Sequence, residues 1–182
     1  MKSLFWKLEK LGRIQLSENF YLRQFLYSEI GIAFGIPNIP DNEDLAIETG
    51  TKLCENILEP LTAEFGPIVI RSGFRSAALN AHGKKFNLMC SSNERNYAYH
   101  IWDHRDEDGY AGAAACIVIP AFNDGKTRFN TWQDLAWHIH NTLPYHRLTF
   151  FSRNNAFNIG WHENPKREVY SLKPNPHWLV KG

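Results

Sequence analysis

An α+β domain, with helices packed against an antiparallel sheet, is the fold class this sequence predicts. Three observations carry it. Leu45, Thr49, Leu53, Ile57, Leu61 and Phe65 recur every four residues, near the helical period. Short β-branched or aromatic runs, "IVIRS", "NYAYHIW", "AACIVIP", "RLTFF" and "AFNIGWH", follow it in two sets. A second helical period, in "TWQDLAWHIHNTLP", separates the sets.

In chain order, a polar arm leads into "LSENFYLRQFLYSE", where Ser17 serves as helix cap or turn residue and Phe20, Leu22, Phe25 and Leu26 are apolar anchors. Two prolines in "GIPNIPDNED" break the chain, and either Asp41 or Asn42 can cap the long helix that follows. Gly66-Pro67 stops that helix. "IVIRSGFRS" reads as a short buried strand and a turn. Thr131 caps the later helix, with Asp134 in its first turn and Pro144 ending it. The closing "SLKPNPHWLVKG" is proline-broken and is expected to wrap the surface or fray.

The 182 residues suit one domain with a real core. A formal charge of +1 provides no basic face for a polyanion, so nucleic acid is not an expected partner. Three cysteines, Cys54, Cys90 and Cys116, leave one unpaired and lack metal-ribbon or redox spacing, which favours reduced thiols. Lys7, Glu9, Lys10 and Arg13 interrupt every early apolar run, so neither a signal peptide nor a membrane span is expected. Synthesis in the cytoplasm follows from that reading, and later release to a cell wall or carriage on a virion is compatible with it.

Residues able to carry chemistry gather late in the chain. His100 shares a strand face with Ala98 and Trp102 if "YAYHIW" is extended, and His162 ends another predicted strand. Two histidines from separate strands can converge on zinc, although each alone is more often a hydrogen-bonded core residue. Cys116, within an apolar strand, reads as core filler or as a ligand. Asp103, Asp106, Glu107 and Asp108 form a charge run whose plainest role is solvation. Arg75 follows a glycine turn, where its guanidinium can grip a carboxylate at a cleft rim.

At these residues the chain resembles the zinc peptidases of the D-alanyl-D-alanine carboxypeptidase type, which share a fold with the Hedgehog signalling domain. The resemblance runs over residues 16 to 162, leaving 163 to 182 as a C-terminal extension. "LSENFYLRQFLYSE", "GIPNIP", "ILEPLTAEFGPIVIRSGFRSAALN", "GAAACIVIP" and "IHNTLPYHRLTFF" before "GWH" carry it, in order. It implies zinc held by His100, Cys116 and His162, with sulfur at about 2.3 Å and nitrogen at about 2.0 to 2.1 Å. It also implies that Arg75 binds substrate carboxylate.

The chain departs from the family motif Ser-x-His-x-x-Gly-x-Ala-x-Asp in three ways. Ala98 stands at the serine, Cys116 at the aspartate, and about nine additional residues separate His100 from Gly112. Glu107 or Asp103 is an alternative second ligand. Ile159 stands where the family has its catalytic carboxylate, so Glu163, Asp103 or Glu107 must supply the acid-base group. The implied function is a zinc metallopeptidase, endolysin-like in type, that hydrolyses D-amino-acid peptides or crosslinks of peptidoglycan. The alternatives are a non-catalytic member of the fold that binds cell-wall peptide or a protein partner, and a chain whose histidines and Cys116 are core residues.

Overall fold

The computed structural model describes residues 2–152, 155–173 and 175–182. The polar arm is in fact helix α1 (Lys2–Gly12), which keeps its lysines outside and buries Leu11. Ser17 lies in a turn, followed by a 3-10 turn at Leu22–Phe25 and by α2 (Glu29–Phe34). Asn42, not Asp41, caps α3 (Glu43–Leu53) by accepting from Leu45 N–H at 3.1 Å.

The expected long helix is present but interrupted. It passes through one π-helical turn, Cys54–Leu58, into α4 (Glu59–Phe65), where the Glu59 amide donates back to the Cys54 carbonyl. Pro60 accounts for the wider turn, because it has no N–H to offer the Asn56 carbonyl. Then come β1 (Val69–Ser72), α5 (Ala77–Lys85), β2 (Gly112–Val118), α6 (Pro120–Asn123) and α7 (Trp132–Thr142). As expected, Thr131 and Asp134 exchange capping bonds of 3.1 and 3.0 Å at the start of α7. Strands β3 (Arg147–Phe150), β4 (Phe157–His162), β5 (Glu168–Ser171) and β6 (His177–Val180) complete the chain.

The six strands form one sheet in the order β1-β2-β4-β3-β5-β6. The chain is therefore α+β, with an open sheet. Three features differ from expectation. β3 and β5 run parallel, so the sheet is mixed. The C-terminal segment does not fray but supplies β5 and β6, whose Val169 and Val180 pack on or into the core. Pro174, one of the prolines read as breaking that segment, lies outside the described residues. β1 is an edge strand of alternating exposure, not a buried one.

Ala113, Ala115, Ile117, Leu148, Phe150, Phe157 and Ile159 join one buried cluster with Leu53, Ile57 and Leu61 of the long helix and Leu135 and Ile139 of α7. The alternation along each strand leaves the other sheet face for Cys116, Thr149 and Asn158.

The predicted strand "NYAYHIW" is not a strand. Residues 96–102 coil through turns, with Ala98 at a φ of 52° and only an isolated bridge between Tyr97 and Ile101. Asparagines cause this. Asn96 donates to the Ser92 carbonyl (3.0 Å) and Ser91 Oγ (2.6 Å), and its own carbonyl accepts from Tyr99 and Ile101 amides (3.1 and 2.9 Å). Asn80 and Asn93 extend the network with bonds to each other (2.8 Å) and to the Ser91 and Ala77 carbonyls. The segment folds back over the sheet and carries Tyr99 and His100 onto it.

Gly112 permits that approach. A Cβ there would lie 2.3 Å from the Ala98 carbonyl oxygen, 2.6 Å from His162 Cδ2 and 2.9 Å from the Trp161 carbonyl oxygen. Two of these neighbours are backbone, so Gly112→Ala should destabilise the protein by about 3 kcal/mol through overpacking. A urea titration checks this, and a change below about 1 kcal/mol would mean that the coiled segment lifts off easily.

Candidate functional site

His100 is 6 % exposed and both ring nitrogens are engaged. Nδ1 lies 3.2 Å from the Gly73 carbonyl, which can only accept, so the proton sits on Nδ1. Nε2 then accepts from the Asn158 amide nitrogen at 3.1 Å. Burial, and secondarily the Arg75 charge, hold the His100 pKa down at about 3, so the ring is neutral. The Arg75 amide donates to the His100 carbonyl at 2.8 Å, which joins the glycine turn to the coiled segment.

Cys116 is the direct sheet partner of Asn158 and projects from the same face. Burial pushes its thiol up to about 11; Arg71 opposes that and Glu29 adds to it. Neither a thiolate nor an imidazolium is present at neutral pH, so the pair has no activated nucleophile. Tyr99 lies against Gly160 and Ala114 and is 9 % exposed. Its hydroxyl sits beside Thr149 and Asn158 yet makes no well-formed hydrogen bond, and burial pushes its pKa up to about 12. Such an unpaired hydroxyl costs about 1–3 kcal/mol.

The sequence-derived residues fall into separate places. His162 shares a sheet face with Cys116 but pairs with Gly112, four residues further along β2. At about 3.3 Å per residue the two positions are about 13 Å apart, whereas donors on one zinc lie within about 4 Å of each other. His162 is also committed elsewhere: Asn164 N–H donates to Nδ1 at 3.0 Å, and Nε2 faces Asp106 at 3.2 Å. Its ring stacks on His146, with centroids 4.3 Å apart. His100, Cys116 and His162 thus do not fit a zinc ion. Among the described residues, no group of three His, Cys, Asp or Glu side chains is placed to hold a metal.

The carboxylates proposed for acid-base work have structural partners instead. Asp103 is buried, and its Oδ2 accepts from the amides of Asp41 (2.7 Å) and Asn42 (3.4 Å), while Oδ1 meets His104 at 3.2 Å. It turns inward, away from a solvated role, toward the start of α3. Glu163 accepts from Ala111 N–H (2.7 Å) and Arg105 (3.0 Å). Asp106 closes its own turn by accepting from the Asp108 and Tyr110 amides. Glu107 and Asp108 are exposed. The acidic loop is therefore pinned at Asp106–His162 and Arg105–Glu163. Ile159 is fully buried in the core.

Arg75 is where the turn placed it, half-exposed beside His100. Its Nη1 donates to Asn80 Oδ1 (3.1 Å) and lies 3.2 Å from Cys90 Sγ. Among the described residues no carboxylate pairs with it. The residue that pattern reading passed over is Asn158. Its signal was the alternation of β4, in which Phe157 and Ile159 face the core and Asn158 must face outward. No protein-family model, curated protein or solved structure matches this chain.

Proposed function

We propose that this chain is a non-catalytic member of its fold class, which binds a carboxylate-ended peptide of the cell-wall type at the surface beside Arg75. The observation that carries this reading is the half-exposed Arg75 guanidinium, without an acidic partner among the described residues, at the edge of a neutral floor made by His100, Cys116 and Asn158. An unpaired guanidinium beside groups that are themselves neutral favours an anionic ligand, and a carboxylate can take two parallel bonds from it. A hydrolase reading requires an acid-base group near Arg75 and His100, and the acids considered for it are occupied with backbone amides and arginine or are exposed on the loop.

The test is calorimetric titration of the untagged protein with a D-alanyl-D-alanine-ended stem peptide, alongside chromatography for cleavage products with and without added zinc. Binding without turnover is expected. Arg75→Ala should weaken it about thirtyfold, the loss of one charge-assisted contact, and Arg75→Lys should weaken it less. Zinc-dependent cleavage by the parent, or equal affinities for parent and Arg75→Ala, would overturn the proposal.

A further inference from the structure

The register of the sheet draws a line across the face opposite the long helix and α7. Ser72 pairs with Cys116, Cys116 with Asn158, Asn158 with Thr149, Thr149 with Tyr170, and Tyr170 with Trp178. Directly paired residues project to the same side. The six side chains therefore form one row that crosses every strand, about 24 Å long at about 4.8 Å per strand. His100 covers the Cys116 end through its contact with Asn158. Beyond it, Asn158, Thr149 and Tyr170 are half-exposed, and Trp178 is 44 % exposed in a tilted pair with Tyr170, ring centroids 4.9 Å apart.

We infer that this row is a saccharide-binding groove, with the Tyr170–Trp178 pair as its stacking end and Asn158, Thr149 and the Tyr99 hydroxyl as its hydrogen-bonding floor. The inference rests on the proposed binding role, since it takes the row as the continuation, past His100, of the surface at Arg75: one ligand then places its acidic peptide at Arg75 and the sugar that carries it along the row.

The chemistry of the row decides the ligand class. It crosses the strands, so an extended peptide lying in it could not add to the sheet through its backbone, which requires an edge. Its Thr149–Trp178 end is not cationic, because Arg147, which lies over the Tyr99 ring at 5.7 Å, is paired with Glu168 at 2.9 Å, so a polyanion has little purchase there. It is not greasy either, since its middle is amide and hydroxyl. Side chains that both donate and accept match the hydroxyls of a sugar, and an exposed aromatic face takes the C–H face of a pyranose ring. The Tyr99 hydroxyl, buried and without a well-formed bond beside Thr149 and Asn158, is the group such a ligand would satisfy.

The experiment titrates the full chain with three probes: an N-acetylglucosamine tetrasaccharide, the free D-alanyl-D-alanine-ended stem peptide, and a muropeptide that joins sugar to peptide. The tetrasaccharide is expected to bind the parent, and Trp178→Ala and Thr149→Val are each expected to weaken it about fivefold, the scale of one lost aromatic or polar contact. Both should leave affinity for the free peptide unchanged. Tyr99→Phe should lower saccharide affinity while leaving thermal stability unchanged or raised. The muropeptide should bind more tightly than either part alone. No tetrasaccharide binding, or equal binding by the parent and all three variants, overturns the groove; peptide affinity that still depends on Arg75 would then leave the binding role standing.

Discussion

Trp102→Ala is expected to lower stability by about 4 kcal/mol, because one side chain joins the coiled segment, the long helix and the sheet. Its indole is fully buried between Phe25 and Phe74, with ring centroids 5.2 and 6.1 Å away. It presses so closely on α3 that a Cβ added at Gly50 would lie 2.8 Å from it. Nε1–H donates to the Ala114 carbonyl of β2 at 3.0 Å, and the Trp102 carbonyl accepts from Thr49 Oγ1 of α3 at 3.2 Å. Truncation removes the apolar contact, leaves a void and unpairs the indole's acceptor, which are additive losses in a core that packs like a crystal. For a domain of this size the midpoint should fall by about 10 °C. Trp102→Phe keeps most of the volume and should lose about half as much. An alanine variant within about 1 kcal/mol of the parent would show that the segment bearing Tyr99 and His100 does not depend on this anchor for its position.

Acid should destabilise the protein well before its carboxylates titrate. His100 and His146 are held at about 3, both chiefly by burial, with Arg75 adding to the effect on the first and His162 on the second. In the unfolded chain each returns to about 6.5. Between those values the unfolded state binds protons that the folded state refuses, so unfolding is favoured as pH falls. The stability is complete above about pH 7, declines as pH drops through 6.5 toward 3, and changes no further from this source below that. The slope approaches about 1.4 kcal/mol per pH unit for each histidine. Urea midpoints from pH 7.5 to 5 check the sign. His146→Asn, which keeps an acceptor for the Lys166 amide that now donates to Nδ1 at 3.1 Å, should flatten the curve. A parent midpoint that stays constant over that range would contradict two histidines buried in neutral form.

Much of this architecture follows from local chemistry. The four-residue stripe from Leu45 to Phe65, the Thr131–Asp134 capping pair, and the β-branched runs that became β1 to β4 are each specified by neighbours within a few residues, through backbone hydrogen bonding and the side-chain period. The glycine turn that leaves Arg75 half-exposed is equally local, whereas its place beside His100 is not. Where local chemistry competes with itself, the pattern misleads. "NYAYHIW" has strand composition, but Asn96 and the asparagines around it offer the backbone closer partners than a neighbouring strand does.

Only tertiary structure decided the site. The sequence placed Cys116 and His162 on strands, and parity along one strand can be counted, but parity does not relate one strand to another. Which of them lies opposite which depends on register and strand order, and these are set by pairings between residues far apart in the chain. That register put Asn158 beside His100 and Cys116 and moved His162 about four residues away along the sheet, toward Asp106 and His146. The same long-range pairing turned a proline-broken tail into β5 and β6 and brought Tyr170 and Trp178 into line with Thr149. A short strand has too little local preference to choose its partner; the buried face it completes makes that choice.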